Sequence, residues 1–283
     1  MYMVQKTRPL NSVIHIILKA LHDIAATHQA SYFLIGAMAR DIVMTHVFGI
    51  EADRATRDVD FAIALEDWSQ FDIIRQAFIH SGDFQSLTAT THRLYYRPGA
   101  HQTAYPLDLI PFGKIASANT IAWPPDMAVV MNVTGYADAL EHAIKVDVGT
   151  GLIVNVVSIP ALAILKILAW NDRGRGDNKD AQDLLYLLRN YHAAGNSNRL
   201  FDDASSILES CDFAIDLAGA ALLGHDARLF MEESTRRSVL AVLNDPVKLD
   251  RLTVQMSRSL KIDIAIPASF IHQFQRGVNL AQP

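Results

Sequence analysis

Apolar residues near the start of the chain fall at helical spacing. Val13, Ile16, Ile17, Ala20, Leu21 and Ile24 form one stripe, and Asn11 or Ser12 stands where a cap belongs, so a helix is expected through about His28. The period then changes. Residues 32–35 read as a short buried strand, Gly36-Ala37 follows directly, and helical spacing returns over 38–48 (Ile42, Val43, Val47) to end at Gly49. Val59, Phe61 and Ile63 alternate with other residues and predict a strand over 58–64. Asp67 suits the cap of a helix ending near Ser81-Gly82. Residues 92–97 and 104–110 read as strands joined around Pro98-Gly99, and 142–148 with 152–157 as a hairpin across Gly149-Thr150-Gly151. Beyond Pro160, which suits the first turn of a helix, the pattern is helical almost to the end. The expectation is an α+β protein. A mixed sheet flanked by helices occupies 1–158 and a helical region 159–283, with a soft boundary near Ser158-Ile159-Pro160 and no internal repeat.

Three polar features interrupt this pattern. Asp58 and Asp60 are one residue apart in the strand 58–64, so both carboxylates project from one face while Val59, Phe61 and Ile63 face the other way. Paired carboxylates repel unless a cation lies between them, and hard oxygen donors suit Mg²⁺. Upstream, the strand–Gly36–helix turn offers backbone N–H groups to a phosphate, and it serves equally as a plain tight turn. Downstream, Asp108 sits inside the apolar run Leu107-Asp108-Leu109-Ile110 and points away from Leu107 and Leu109. If its strand lies beside that of Asp58 and Asp60, three acids converge, as two-ion phosphoryl or nucleotidyl transfer requires.

The ordered set Ile35-Gly36-Ala37-Met38-Ala39-Arg40-Asp41, Arg57-Asp58-Val59-Asp60 and Asp108-Leu109-Ile110-Pro111-Phe112-Gly113 resembles the nucleotidyltransferase superfamily typified by DNA polymerase β. Within it, the chain is most similar to bacterial AbiEii-type toxins, and the resemblance continues through the Lys166 helix and Asn178-Lys179-Asp180-Ala181-Gln182-Asp183. It spans about residues 30–195, and implies a nucleotidyltransferase core with a helical C-terminal region. It implies a Mg²⁺-dependent enzyme, with two ions, moving an NMP from an NTP to an acceptor hydroxyl. Asp58, Asp60 and Asp108 would be catalytic and metal-binding, Lys166 would steady the triphosphate, and Gly36, Ala37, Arg40, Lys179 and Asp180 would bind the nucleotide. The partners implied are a nucleoside triphosphate, an acceptor (tRNA or other RNA, protein or small molecule) and an antitoxin protein. Ala37 departs from the Ser or Gly usual in the family and leaves phosphate binding to backbone amides. Arg40-Asp41 is similar also to CCA-adding and poly(A) polymerases, but Glu66-Asp67-Trp68 follows where those carry an Arg-rich stretch.

Two other readings stand beside this one. One is an aminoglycoside-like transferase acting on a small molecule; the other is a nucleotide-binding module that keeps the fold without catalysis. Lys166, on a helix apolar nearly all round, either carries its ammonium out to water or supplies charge to a cleft. Asp180 and Asp183, at i and i+3, either reach that cleft or complement the helix dipole.

Composition narrows the class further. Net charge is −5, so no overall basic field gathers nucleic acid. The single cysteine, Cys211, rules out an intrachain disulfide and a Cys-based zinc cluster. The eleven histidines show no HxxxH or HxH spacing. Asn155, Ser158, Pro160 and Lys166 interrupt the apolar stretch Leu152 to Trp170, so no membrane span is expected, and with no signal-peptide pattern the expected location is cytoplasmic.

Overall fold

The computed structural model describes residues 1–52, 54, 56–86, 92–97, 99, 103–173 and 178–280. The chain divides into two compact units, Met1–Val157 and Ser158–Pro283. The first unit runs β1 (Tyr2–Met3), α1 (Ser12–Thr27), β2 (Tyr32–Ile35), α2 (Gly36–Asp41), β3 (Val59–Ala64), α3 (Trp68–His80), β4 (Phe84–Ser86), β5 (Arg93–Tyr96), β6 (Tyr105–Phe112), β7 (Thr120–Trp123), β8 (Val129–Asn132), α4 (Tyr136–Glu141), β9 (Ile144–Asp147) and β10 (Ile153–Val156). Among the described residues eight strands form a mixed sheet in the order β1-β9-β10-β2-β3-β6-β5-β4, and β7 pairs with β8 apart from it.

The sheet is buried from both sides, and alternation assigns each residue its layer. Phe61 meets Phe78 of α3, and Phe78 meets Phe84, so the face carrying Val59, Phe61 and Ile63 packs under α3. On the other face Phe33, Phe112 and Tyr136 of α4 form an edge-on aromatic cluster. That second face also carries the acids, because Phe33 lies opposite Ala62 and Ile35 opposite Asp60 in the β2–β3 register.

The α1 cap is Asn11, whose side chain accepts from the Val13 amide, and Asp67 caps α3 through the Gln70 amide. The helix expected over 38–48 begins earlier, at Gly36, and after Asp41 widens into a π-helical segment, Ile42–Val47. In the wider winding the consecutive residues Ile42, Val43 and Met44 are all buried, and a run of three adjacent apolar residues carries no period that marks the change. Strand β3 starts at Val59 rather than 58, and β6 extends to Phe112. The short elements β1, β4, β7, β8 and α4 carry too few residues to show a period. Of the expected turn at Pro98-Gly99, Pro98 lies outside the described residues.

The second unit is helical: α5 (Ile159–Arg173), α6 (Lys179–Asn190), α7 (Ser197–Phe201), α8 (Ser205–Glu209), α9 (Ile215–Phe230), α10 (Glu233–Leu243), α11 (Pro246–Leu260) and α12 (Ala265–Asn279). Pro160 occupies the first turn of α5, as its missing N–H favours. At the centre, α9 and α12 touch backbone to backbone through glycines. A Cβ on Gly224 would overlap the Phe274 carbonyl oxygen and stand 3.0 Å from its carbon; one on Gly277 would overlap the Ala221 carbonyl oxygen. No described helix is long and apolar enough to cross a membrane.

Gly277→Ala is therefore expected to destabilise the helical unit by about 1–3 kcal/mol, the usual cost of overpacking. Urea denaturation checks it, with a lower midpoint at unchanged m-value as the outcome.

Candidate active site

Asp60 lies inside β3, and Asp58 stands just before the strand, its amide donating to Thr56 Oγ1 at 3.2 Å. Asp58 is exposed and Asp60 half-buried. Strand β6 runs parallel to β3 with Asp60 directly opposite Asp108, so Asp108 projects from the same face as Asp60. The next strand, β5, runs antiparallel with Arg93 opposite Asp108. Acid, acid and arginine thus form a row across three adjacent strands.

The row is closed at one end by a glycine corner. Gly36 directly follows β2, and its φ of +72° is one that L side chains resist. A Cβ there would overlap Asp60 Oδ2 and stand 3.0 Å from its Cγ. Glycine is needed here both for the turn and for the carboxylate beside it. Ala37 follows, half-buried at the start of α2.

Arg40 is 3% exposed. Its Nε and Nη2 donate to Asp41 Oδ1 at 2.8 and 2.6 Å, and Nη2 also donates to the Arg54 carbonyl at 2.8 Å. The Ile50 amide donates to the Met44 carbonyl, and Thr45 Oγ1 to the Ile50 carbonyl. These bonds tie the approach to β3 against the helical segment that follows Gly36, and so help to place Asp58. Arg57 takes the opposite side from the acids, with its guanidinium carbon 6.0 Å from the centre of the Tyr105 ring.

Asp108 is 8% exposed, and Arg93 holds it by a two-pronged contact. Arg93 Nε donates to Oδ1 and Nη2 to Oδ2, both at 2.6 Å. The hydrogen bond to Asp108 holds the Arg93 pKa above its ordinary value, although partial burial opposes it. Burial pushes the neighbouring His92 imidazole below its ordinary value; the Asp108 charge opposes that and Arg93 reinforces it. His92 packs against Trp123 with the rings tilted, 4.9 Å between centres.

As donors, Asp58 and Asp60 fit Mg²⁺, which usually joins one or two carboxylates to substrate phosphates. A third ligand is a different matter. Among the described residues no group of three His, Cys, Asp or Glu side chains is placed to hold an ion, and Asp108 is engaged by Arg93.

Sequence reasoning passed over Arg93. A hairpin folded about Pro98-Gly99 would have set it opposite Ala104, whereas the register sets it opposite Asp108. The available signal was a charged residue inside a strand whose alternate partners, Leu94 and Tyr96, are buried.

Within the helical unit, Lys166 on α5 is 7% exposed and neither reaches out to water nor stands alone. Its Nζ lies 2.9 Å from Asp180 Oδ1 and 2.6 Å from Asp183 Oδ2, both on α6. Arg173 Nε donates to Asp180 Oδ2 at 2.9 Å. Asp180 and Asp183 share one helical face, as their i, i+3 spacing predicts, and that face meets a lysine. Lys179 is exposed in the first turn of α6, and residues 174–177 of the glycine-broken stretch before it lie outside the described residues. Burial alone pushes the Lys166 ammonium down, but Asp183 and Asp180 outweigh it and the net shift is upward. Burial likewise pushes Asp180 up, and Lys166 with Arg173 reverses this to a net lowering. Removing one member of such a buried set costs about 3–5 kcal/mol, so loss of activity in a Lys166 variant needs a stability control.

The family model described as "Nucleotidyl transferase AbiEii toxin, Type IV TA system" matches residues 20–251. No curated protein matches the chain. Among solved structures, an antigenic nucleotidyltransferase-like protein from Paracoccidioides brasiliensis is 16% identical with a TM-score of 0.41, over 71% of this chain and 93% of that one. The antibiotic-resistance factor ANT(2'')-Ia is 14% identical with a TM-score of 0.37, over 70% of this chain and 97% of that one.

Two outcomes are expected from this geometry. Gly36→Ala, forced into a left-handed conformation, should lose about 1–2 kcal/mol and turn the Asp60 carboxylate aside; calorimetry reads the first and a crystal structure of the variant the second. The Lys166 cluster should give the helical unit a defined pH range. The unfolded chain takes up the Asp180 proton before the folded one does, so stability present above the ordinary 3.8 falls as pH drops through the lower folded value. The raised Lys166 contributes stability that is complete below 10.5 and is lost as pH climbs through the folded value. Hydrogen exchange of α5 and α6 amides should show a shallower acid loss in Asp180→Asn than in the wild type.

Proposed function

Because the chain belongs to the AbiEii nucleotidyltransferase toxin family, we propose that it moves a nucleoside monophosphate from an NTP to an acceptor hydroxyl. The observation that supports this most is the row Gly36, Asp60, Asp108: a glycine corner against one acid, with a second acid directly opposite on a parallel strand. In this reading Asp58 and Asp60 are the hard oxygen donors for Mg²⁺. When bound, the ion would supply Lewis-acid polarisation of the phosphate oxygens.

The chain's own residues do the rest. Backbone amides of Gly36 and Ala37 donate to phosphate oxygens, and the absent Cβ at Gly36 lets the phosphate approach closely. Arg40 acts through the main chain, bracing the segment that carries Asp58. Asp108 orients the acceptor and accepts its hydroxyl proton. A bond forms between the acceptor oxygen and the α-phosphorus, the α–β phosphoanhydride bond breaks, and pyrophosphate leaves with the electron pair. The toxin role of the family makes cellular RNA, tRNA included, the first acceptor to try, and a paired antitoxin the expected regulator.

The test is incubation of the full chain with each labelled NTP, Mg²⁺ and cellular RNA or protein pools, read by mass spectrometry. Transfer should fall at least about 100-fold in Asp58→Asn and Asp60→Asn, since metal-assisted charge stabilisation amounts to several kcal/mol. No transfer from any of the four NTPs, or nucleotide binding without turnover, overturns the reading.

A further inference from the structure

The Arg93–Asp108 pair stands against the very use proposed for Asp108. A carboxylate acting as a metal ligand or as a proton acceptor needs an available lone pair and a potential that welcomes positive charge. Here the arginine fork engages both oxygens at 2.6 Å, and its full positive charge repels any cation approaching that acid. The contact is not an accident of the surface. The register fixes Arg93 opposite Asp108 and Asp108 opposite Asp60, so the arginine terminates the acidic row from within the sheet.

We propose that Arg93 is a positioning residue that latches Asp108 and yields it when a divalent cation enters with its triphosphate. The inference rests on the nucleotidyltransferase reading above. Three observations support it. Adjacent carboxylates repel, and a fixed cation on the least exposed of them relieves that repulsion. The two partners differ in freedom: the Arg93 side chain is 33% exposed and the Asp108 side chain 11%, so the arginine is the one with room to swing aside. Finally, a guanidinium fork matches a phosphate as well as a carboxylate, so an incoming triphosphate offers Arg93 an equivalent partner as it lets go. The exchange is one of ligands: Asp108 passes from arginine to cation, and no covalent bond changes.

The latch makes a prediction about cation binding that needs no turnover. Mn²⁺ affinity of the full-length protein, without nucleotide, is measured by electron paramagnetic resonance for the wild type, Arg93→Gln and the charge-balanced double variant Arg93→Gln/Asp108→Asn. Circular dichroism confirms that each is folded. Arg93→Gln should bind Mn²⁺ at least about ten-fold tighter than wild type, because Asp108 is released and a repelling charge removed. The double variant deletes both latch members at constant net charge and should stay within about three-fold of wild type. If Arg93→Gln does not fold, the double variant decides alone. An affinity loss of about ten-fold or more in it shows that Asp108 is already a ligand in the resting protein, and overturns the latch. Unchanged affinity in a folded Arg93→Gln, or no Mn²⁺ binding by any variant, overturns it as well. The two readings fail separately. The expected Mn²⁺ pattern without NTP transfer sinks the proposed function and leaves the latch; transfer without the pattern sinks the latch alone.

Discussion

Like charges brought together by a fold must be separated, solvated or neutralised, and the sheet unit is arranged around that requirement. Asp60 and Asp108 project side by side from adjacent parallel strands, with Asp58 two residues along from Asp60. Asp58 stays in solvent, while Asp108, the least exposed, is neutralised by Arg93. Gly36 leaves Asp60 the space a side chain would take. The apolar side of the same strands carries none of this burden and packs under α3 through Phe61 and Phe78.

The helical unit meets the same requirement with a different geometry. Asp180 and Asp183 share a helix face and are nearly excluded from water, which is costly for two carboxylates unless a cation is built in beside them. Lys166 and Arg173 supply that charge from α5. An acidic pair and a lysine that look in sequence like separate candidates for substrate contact are therefore one cluster. In both units a basic side chain of a neighbouring element holds an acid that the fold keeps from water.

Much of the fold was legible because helices and strands of ordinary length announce themselves by period. The existence of α1, the alternation in β3 and the proline in the first turn of α5 each arise from local rules. The buried face of α1, however, is Ile14, Ile17, Leu18, Leu21 and Ala25 rather than the expected stripe, and Ile16 is exposed, because apolar residues nearly encircle that helix. The π-helical segment at Ile42–Val47 was not legible, since its buried residues Ile42, Val43 and Met44 are consecutive and show no period. The β7–β8 pair was hidden by its brevity, although Trp123 on β7 packs against His92 and Trp68.

The sequence by itself determined that Asp60 faces away from Val59, Phe61 and Ile63, because alternate residues of a strand share a side, and that a glycine follows β2. It determined also that Asp180 and Asp183 lie on one side of a helix. Only the tertiary structure decided which strand lies beside which, that Asp108 comes level with Asp60, and that Arg93 rather than solvent meets Asp108. It alone turned the lone lysine of an apolar helix toward two acids of the next. The reason is that facing within one element follows from bond geometry, whereas register between elements is set by the packing of side chains far apart in the chain and by the loops that join them.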